Sequence, residues 1–420
     1  MIQRTKLDNG IRVLSEEVPG CHSVSLGIWV NNGSRHESAQ LNGISHYIEH
    51  MLFKGTDRRS AQDVAREVDS VGGLLNGFTS REYSCYYVKI LAEKLPMAVD
   101  LLGDLICNPR FNLDDIEKER RVILQEIAMI DDSPEESIHD QFASGFWAGH
   151  PLGMPVVGTR TTVGAIDRQQ MLNFMCERYV GRNLCVVAAG RLDHEALVEL
   201  VEQSLGGVPE VGVEQVDVTP VIKRHIEVVQ RDLEQTHICL GVAGLPQNHV
   251  DRYGTYLLNT ILGGNMSSRL FQRVRETLGL AYSVYSYHHN HSDSGAFVVY
   301  AATSSESAAL VTRTILEEFT RLRYEAVSDE ELQSAKDYLK GGMLLSMESM
   351  DSRMTRLAKN ELFQRNVGIS LDESRAMIDA VTGELVQHLA ENLFVNETLN
   401  LQITGRITRQ DFPDIDLQIG

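Results

Sequence analysis

Apolar and polar positions follow two periods along the 420-residue chain, and each change of period marks an element. Alternating runs predict strands within 7–14, after a turn signal, and at Val24–Val30, Tyr83–Leu91, Asn183–Gly190, Ala281–Tyr287 and Gly295–Tyr300. Helical spacing predicts helices over 43–53, Ser60–Val71, 95–106, 113–130, 135–147, 166–178 and 193–205. Ser60 is placed to cap the second of these, and Gly72-Gly73 closes it. Residues 206–222 mix Gly, Pro and Val without a period, so a linker is expected there. After it the order of elements begins again.

Offsets make the recurrence explicit. Gly190-Arg191 follows one strand and Gly405-Arg406 another, 215 residues on. The helix openings Leu113-Asp-Asp-Ile-Glu and Asp329-Glu-Glu-Leu-Gln lie 216 apart. A period of this length means a duplicated domain rather than a solenoid. The expected fold class is α+β, with two homologous domains, each a mostly antiparallel sheet packed with several helices. The expected boundaries are a first domain at 1–208, a linker at 209–222 and a second domain at 223–420. A chain of this length exceeds what one core normally organises.

Composition narrows the class. Apolar content of 43% and charged content of 23% are those of a soluble globular protein. No apolar run reaches membrane-spanning length, and the first residues lack the apolar centre of a secretory signal. Six scattered cysteines, several inside apolar runs and none in a Cys-x-x-Cys pair, read as reduced core thiols. A cytoplasmic protein is therefore expected, with no membrane partner. Lys plus Arg number 39 against 58 Asp plus Glu, a net charge of −19 that disfavours nucleic acid. Such acidity suits a cationic substrate, although solubility accounts for most of it.

The chemistry concentrates in Gly43-Ile-Ser-His-Tyr-Ile-Glu-His-Met-Leu-Phe53. Ile44, Ile48, Met51 and Leu52 form an apolar face, while His46 and His50 stand one turn apart on another side. Two imidazoles so placed can share one metal ion, and zinc takes such ligands. Glu49 beside them is within reach of a water, and His-x-x-Glu-His is the inverse of the usual zinc-protease helix. A solvated polar face is the alternative. The repeat argues against it: with Gly43 set on Gly254, the trio falls on Leu257, Thr260 and Ile261. Loss of a site from one copy explains that asymmetry. A third ligand must come from elsewhere, and helix 113–130 offers Glu117, Glu119 and Glu126. Glu119 and Glu126, seven apart, share a face. Leu124, Ile127 and Ala128 around Glu126 predict that it points into packed structure, where ligation would offset the cost of its charge. Spacing alone leaves the choice open.

His46-Tyr-Ile-Glu49-His50, followed by Glu119-Arg-Arg-Val-Ile-Leu-Gln-Glu126, resembles the pitrilysin/insulinase (inverzincin) family of zinc peptidases. The closer resemblance is to its short bacterial members, similar to the β subunit of mitochondrial processing peptidase, and it covers nearly the whole chain. It implies a zinc-dependent endopeptidase in which His46, His50 and Glu126 hold Zn2+, Glu49 is the general base and Glu119 supports the site. Gly73-Leu-Leu-Asn76-Gly77-Phe78-Thr79 resembles the family's segment beside the substrate-binding edge strand, commonly Asn-Ala-x-Thr. Gly77 here replaces the alanine. In the second half, Arg275 and Tyr282, seven apart, match a pair that reaches the substrate backbone. The resemblance further implies a peptide substrate held in an enclosed chamber, with an acidic lining that favours basic peptides. It also implies a homodimer in which Arg275 and Tyr282 come from the partner chain, or a heterodimer with a zinc-less relative. The rival function is a non-catalytic scaffold subunit of the same fold. His288-His289-Asn-His291-Ser-Asp293 reads instead as a polar hairpin tip.

Overall fold

The computed structural model describes residues 2–213, 218–364, 370–411 and 417–420, so 214–217 of the expected linker lie outside the described residues. The chain divides into two compact units. The first comprises residues 1–129, 154–217 and 346–368, and the second 130–153, 218–345 and 369–420.

The first unit is built on a sheet of β1 (Ile2–Lys6), β2 (Arg12–Glu17), β3 (Ser23–Val30), β4 (Leu74–Thr79), β5 (Ser84–Leu91) and β6 (Leu184–Gly190). Their order is β1-β2-β6-β3-β5-β4, with β2 and β6 parallel and the other neighbours antiparallel. The second unit repeats this with β7 (His225–Gln230), β8 (Thr236–Gly244), β9 (Ala281–Asn290), β10 (Gly295–Thr303) and β11 (Asn400–Gly405), in the order β7-β11-β8-β10-β9. Again one pair, β7 and β11, is parallel. With β1 set aside, the two sheets correspond strand for strand. The expected α+β duplication is the fold found.

Central strands β6 and β10 are buried along their whole length. Both faces of each sheet must therefore be covered. Six helices bear on that covering and on the sites: α1 (Ile44–Leu52), α2 (Leu113–Asp132), α3 (Pro134–Phe146), α4 (Arg252–Leu262), α5 (Asp329–Ser346) and α6 (Met350–Gln364). In the first unit α1 and α2 pack in the main core on one face. The other face is covered by α6, whose Met354, Leu357, Ala358 and Leu362 meet Leu14, Trp29, Cys85, Cys185 and Val187. Charges ring this contact: Glu361 pairs with Arg4 at 2.8 Å and Arg12 at 3.6 Å, and Arg353 pairs with Glu16. In the second unit α3 plays the matching part, with Ile138, Phe142 and Phe146 against Cys239, Val298 and Tyr300. Each sheet is thus completed by a helix that lies in the other half of the sequence. Compact units and contiguous halves differ for that reason.

The helix expected over 166–178 is found at Arg168–Arg178, where Asp167 caps it by accepting the Gln170 N–H, and a separate short helix, Arg160–Ala165, precedes it. Two local expectations change. Part of the expected linker is docked: Pro209 accepts the Gly181 N–H at 2.8 Å. The histidine-rich stretch is a hairpin tip only in its second half, where His291-Ser-Asp293 lies in the turn between β9 and β10. β9 runs to Asn290, with His288 stacked on Tyr256 at 4.7 Å and His289 against Tyr287 at 5.1 Å. Aromatic packing extends the strand where polarity alone suggested a turn.

Candidate metal centre

α1 buries Ile44, Tyr47, Ile48, Met51 and Leu52 and, with them, His46, while Glu49 and His50 are half-buried. Its N-cap Gly43 has φ +94°, and a Cβ there would stand 2.8 Å from the Cα of Gly158, so only glycine fits. α2 is fixed beside it by Tyr47, whose hydroxyl donates to the Ile116 carbonyl at 2.5 Å. Ile116, Glu119, Ile123 and Ile127 form the buried stripe of α2.

His46, His50 and Glu126 bring one donor atom each within 4.8 Å of one another, the single such group among the described residues. Glu126 Oε2 lies 3.7 Å from Nε2 of both histidines, too far for a good hydrogen bond. With all three donor atoms within 4.8 Å of one another, two imidazoles and one carboxylate would serve as the three protein ligands of a zinc ion. Burial, and then the neighbouring His50, pushes His46 down to about 3. Its imidazole is neutral and keeps a lone pair for a metal. Its Nδ1 is buried without a hydrogen-bond partner.

The two carboxylates of α2 divide differently from expectation. Glu126 is not in packed structure: its side chain is 39% exposed, because it lies beside the buried stripe rather than on it. Glu119 is the buried one, and its Oε2 stands 3.1 Å from Nδ1 of His50. Seven residues thus let one helix address both nitrogens of one ring. Lys54, which sequence reasoning missed, meets the other oxygen of Glu119 at 2.7 Å.

Edge strand β4 completes the surroundings. Thr79 donates to Glu49 Oε2 at 2.6 Å. A Cβ on Gly77 would stand 3.2 Å from Glu49 Cγ and 3.0 Å from the Phe53 ring. Burial raises the Glu49 carboxyl while the Thr79 hydroxyl holds it down, and the net direction is upward. Strand alternation sends Phe78 to the opposite face, against Trp29, Tyr83 and Tyr87. Asn76 shares that face, and its Oδ1 accepts the Gly77 N–H at 2.8 Å. Arg275 and Tyr282 belong to the second unit. Arg275 lies in a π-helical turn, Phe271–Thr277, with its guanidinium 4.8 Å from the Phe271 ring and 4.4 Å from that of Tyr282.

Glu37 is a further residue the sequence reading passed over. It is fully buried, and its carboxylate accepts the Gly43 N–H at 2.7 Å, the Ser45 N–H at 2.8 Å and Asn42 Nδ2 at 3.1 Å. Burial raises it to about 7 against these donors. The available signal was indirect: a helix opening on Gly43 has no capping side chain of its own.

Comparisons with known proteins identify the family of the chain. The sequence model described as Insulinase (Peptidase family M16) matches residues 12–160, and that described as Peptidase M16 inactive domain matches 165–339. An uncharacterized zinc protease of Mycobacterium bovis is 42% identical, over 93% of this chain and 90% of that one. Another, YmxG of Bacillus subtilis, is 38% identical over 94% and 97%. A protease from Helicobacter pylori has the same fold, at TM-score 0.90 and 20% identity, covering 96% of this chain and 99% of that one. So does a chain of Complex III2 from Candida albicans, at 0.86 and 21%, covering 98% and 99%. The chain belongs to the insulinase family, peptidase family M16.

Proposed function

We propose that this chain is a zinc-dependent endopeptidase that hydrolyses peptides or unfolded, presequence-like segments in an enclosed chamber. The convergence of His46, His50 and Glu126 beside the half-buried Glu49 carries the reading. When bound, zinc supplies Lewis acidity that polarises a carbonyl and acidifies a water. Glu49 takes the proton of the attacking water on its carboxylate and returns it to the departing amine. Thr79 holds one oxygen of Glu49, leaving the other for that exchange. Glu119 fixes the His50 ring through Nδ1, so that Nε2 faces the ligand position.

A peptide would add as a strand along the free side of β4, with backbone bonds that do not depend on sequence. Asn76, Gly77, Phe78 and Thr79 would form that edge. The net charge of −19 supports a preference for basic peptides. In the proposed homodimer, Arg275 and Tyr282 of a partner copy would donate to the oxyanion. A cytoplasmic location fits six free cysteines. No helix among the described residues is long and apolar enough to cross a membrane.

The rival reading, a non-catalytic subunit, draws on the likeness to the Complex III2 chain, which at 21% identity speaks to fold alone. The intact donor set favours the peptidase. The test is hydrolysis of a quenched basic peptide by the wild type and Glu49→Gln, with metal content measured on both. Zinc in both and cleavage by the wild type alone is the expected result. Equal cleavage by the two would refute the role of Glu49, and zinc without any cleavage would favour the scaffold or a heterodimer with a zinc-less relative.

A further inference from the structure

The two histidines of the donor set are held in different ways. His50 has a carboxylate on its second nitrogen, Glu119 at 3.1 Å. His46 has nothing: Nδ1 is buried and unpartnered. Ligating histidines are usually oriented by a hydrogen bond from that nitrogen, and loss of such a partner weakens metal binding by about 10- to 100-fold. The direction of the His46 ring must therefore come from its backbone and its packing.

His46 is the third residue of α1, so its backbone belongs to the first turn. First turns fray unless their free N–H groups are satisfied, and the N-cap here is Gly43, which has no side chain to do it. Glu37 supplies what is missing from six residues upstream. One of its oxygens takes the Gly43 N–H and the other takes the Ser45 N–H, the residues on either side of Ile44. Asn42 Nδ2 adds a third donor and also bonds the Pro155 carbonyl at 2.9 Å. No cation is among these partners. The Ser45 hydroxyl is a further donor, and a fully buried carboxylate with only neutral donors is costly unless those donors are held still.

The same segment is stitched to the turn after β4. Ser34 N–H donates to Ser80 O at 3.2 Å, Arg35 N–H to Arg81 O at 2.7 Å, and the Arg35 guanidinium pairs with Glu82 at 2.8 Å. Thr79, which holds Glu49, is the neighbour of Ser80. One buried loop therefore ties the start of α1 to the strand that orients the base.

We propose that Glu37 is the positioning residue for His46: by clamping the first turn of α1 it sets the ring where Nε2 meets Nε2 of His50 and the Glu126 carboxylate. This deepens the zinc reading and rests on it. Glutamine at this position keeps the volume but offers one acceptor where two N–H groups point, so one of them loses its partner.

The experiment is a zinc titration of the full chain against a competing chelator. It compares the wild type, Glu37→Gln, His46→Ala and the double variant, with melting temperatures of the metal-free and zinc-loaded forms. The expected result is zinc affinity about tenfold or more weaker in Glu37→Gln. In the His46→Ala background the same change should move affinity less than about twofold, because the ring it positions is gone. Zinc should raise the melting temperature of Glu37→Gln less than that of the wild type. Should Glu37→Gln not fold, Glu37→Asp keeps both oxygens but draws them back by one methylene, and a smaller loss of affinity is expected. Unchanged affinity, or an equal loss with and without His46, would overturn the inference. A metal-free destabilisation without loss of affinity would do the same, since it marks a purely structural residue. A wild type that binds no zinc would overturn the zinc reading and this inference with it.

Discussion

Thr79→Val removes one oxygen and leaves almost the same shape. In the native chain the Thr79 hydroxyl donates to Glu49 Oε2 at 2.6 Å, and Ser84 Oγ stands behind it at 3.4 Å. A hydrogen bond to an ionised group is worth about 1.5–3 kcal/mol. If that energy holds Glu49 in its working orientation and charge state, its loss lowers kcat by about 10- to 150-fold. Thr79 touches none of the three donors, so bound zinc should be unchanged at one equivalent. Steady-state hydrolysis of a quenched peptide, with metal content on the same samples, reads both quantities. Thr79→Ser restores the donor and should recover most of the rate. A valine variant whose kcat stays within about threefold of wild type, zinc intact, would refute the claim that this bond positions the base.

Other consequences follow from packing and titration. Gly341 and Gly342 lie inside α5 with no neighbouring atom within 4 Å of an added Cβ, so each change to alanine should stabilise by about 0.5–1 kcal/mol. A lowered melting temperature would contradict that. Leu357 is 1% exposed where α6 meets the first sheet, and Leu357→Ala should cost about 2–5 kcal/mol in denaturant unfolding. A loss under about 1 kcal/mol would mean that α6 is loosely held. Burial pushes His288 down to about 4, so it is neutral when folded at pH values where the unfolded chain is protonated. Its contribution is intact above about pH 6.5 and is lost as pH falls towards 4, by up to about 1.4 kcal/mol per pH unit. His288→Phe keeps the stacking on Tyr256 and should flatten stability against pH in that window, and an unchanged slope would refute the assignment.

Periodicity determined much of this protein without help. Helical spacing in α1 identified its apolar face and set His46 and His50 one turn apart, because a helix imposes its faces locally, but not that His46 would be buried. The repeat was legible for the same reason: matching local patterns recur at a constant offset, and the two sheets follow the same order. Seven-residue spacing put Glu119 and Glu126 on one side of α2. What the chain could not announce are relations between residues far apart in sequence. Which carboxylate is buried depends on what covers α2, and there Glu126, expected in packed structure, is half-exposed while Glu119 is buried. The exchange of α3 and α6 between compact units is equally silent, since an amphipathic helix does not encode which sheet it covers. Glu37 makes the point most sharply. In sequence it is one acidic residue in a polar loop. Only the folded chain sets its two oxygens against the open N–H groups of the helix that carries His46.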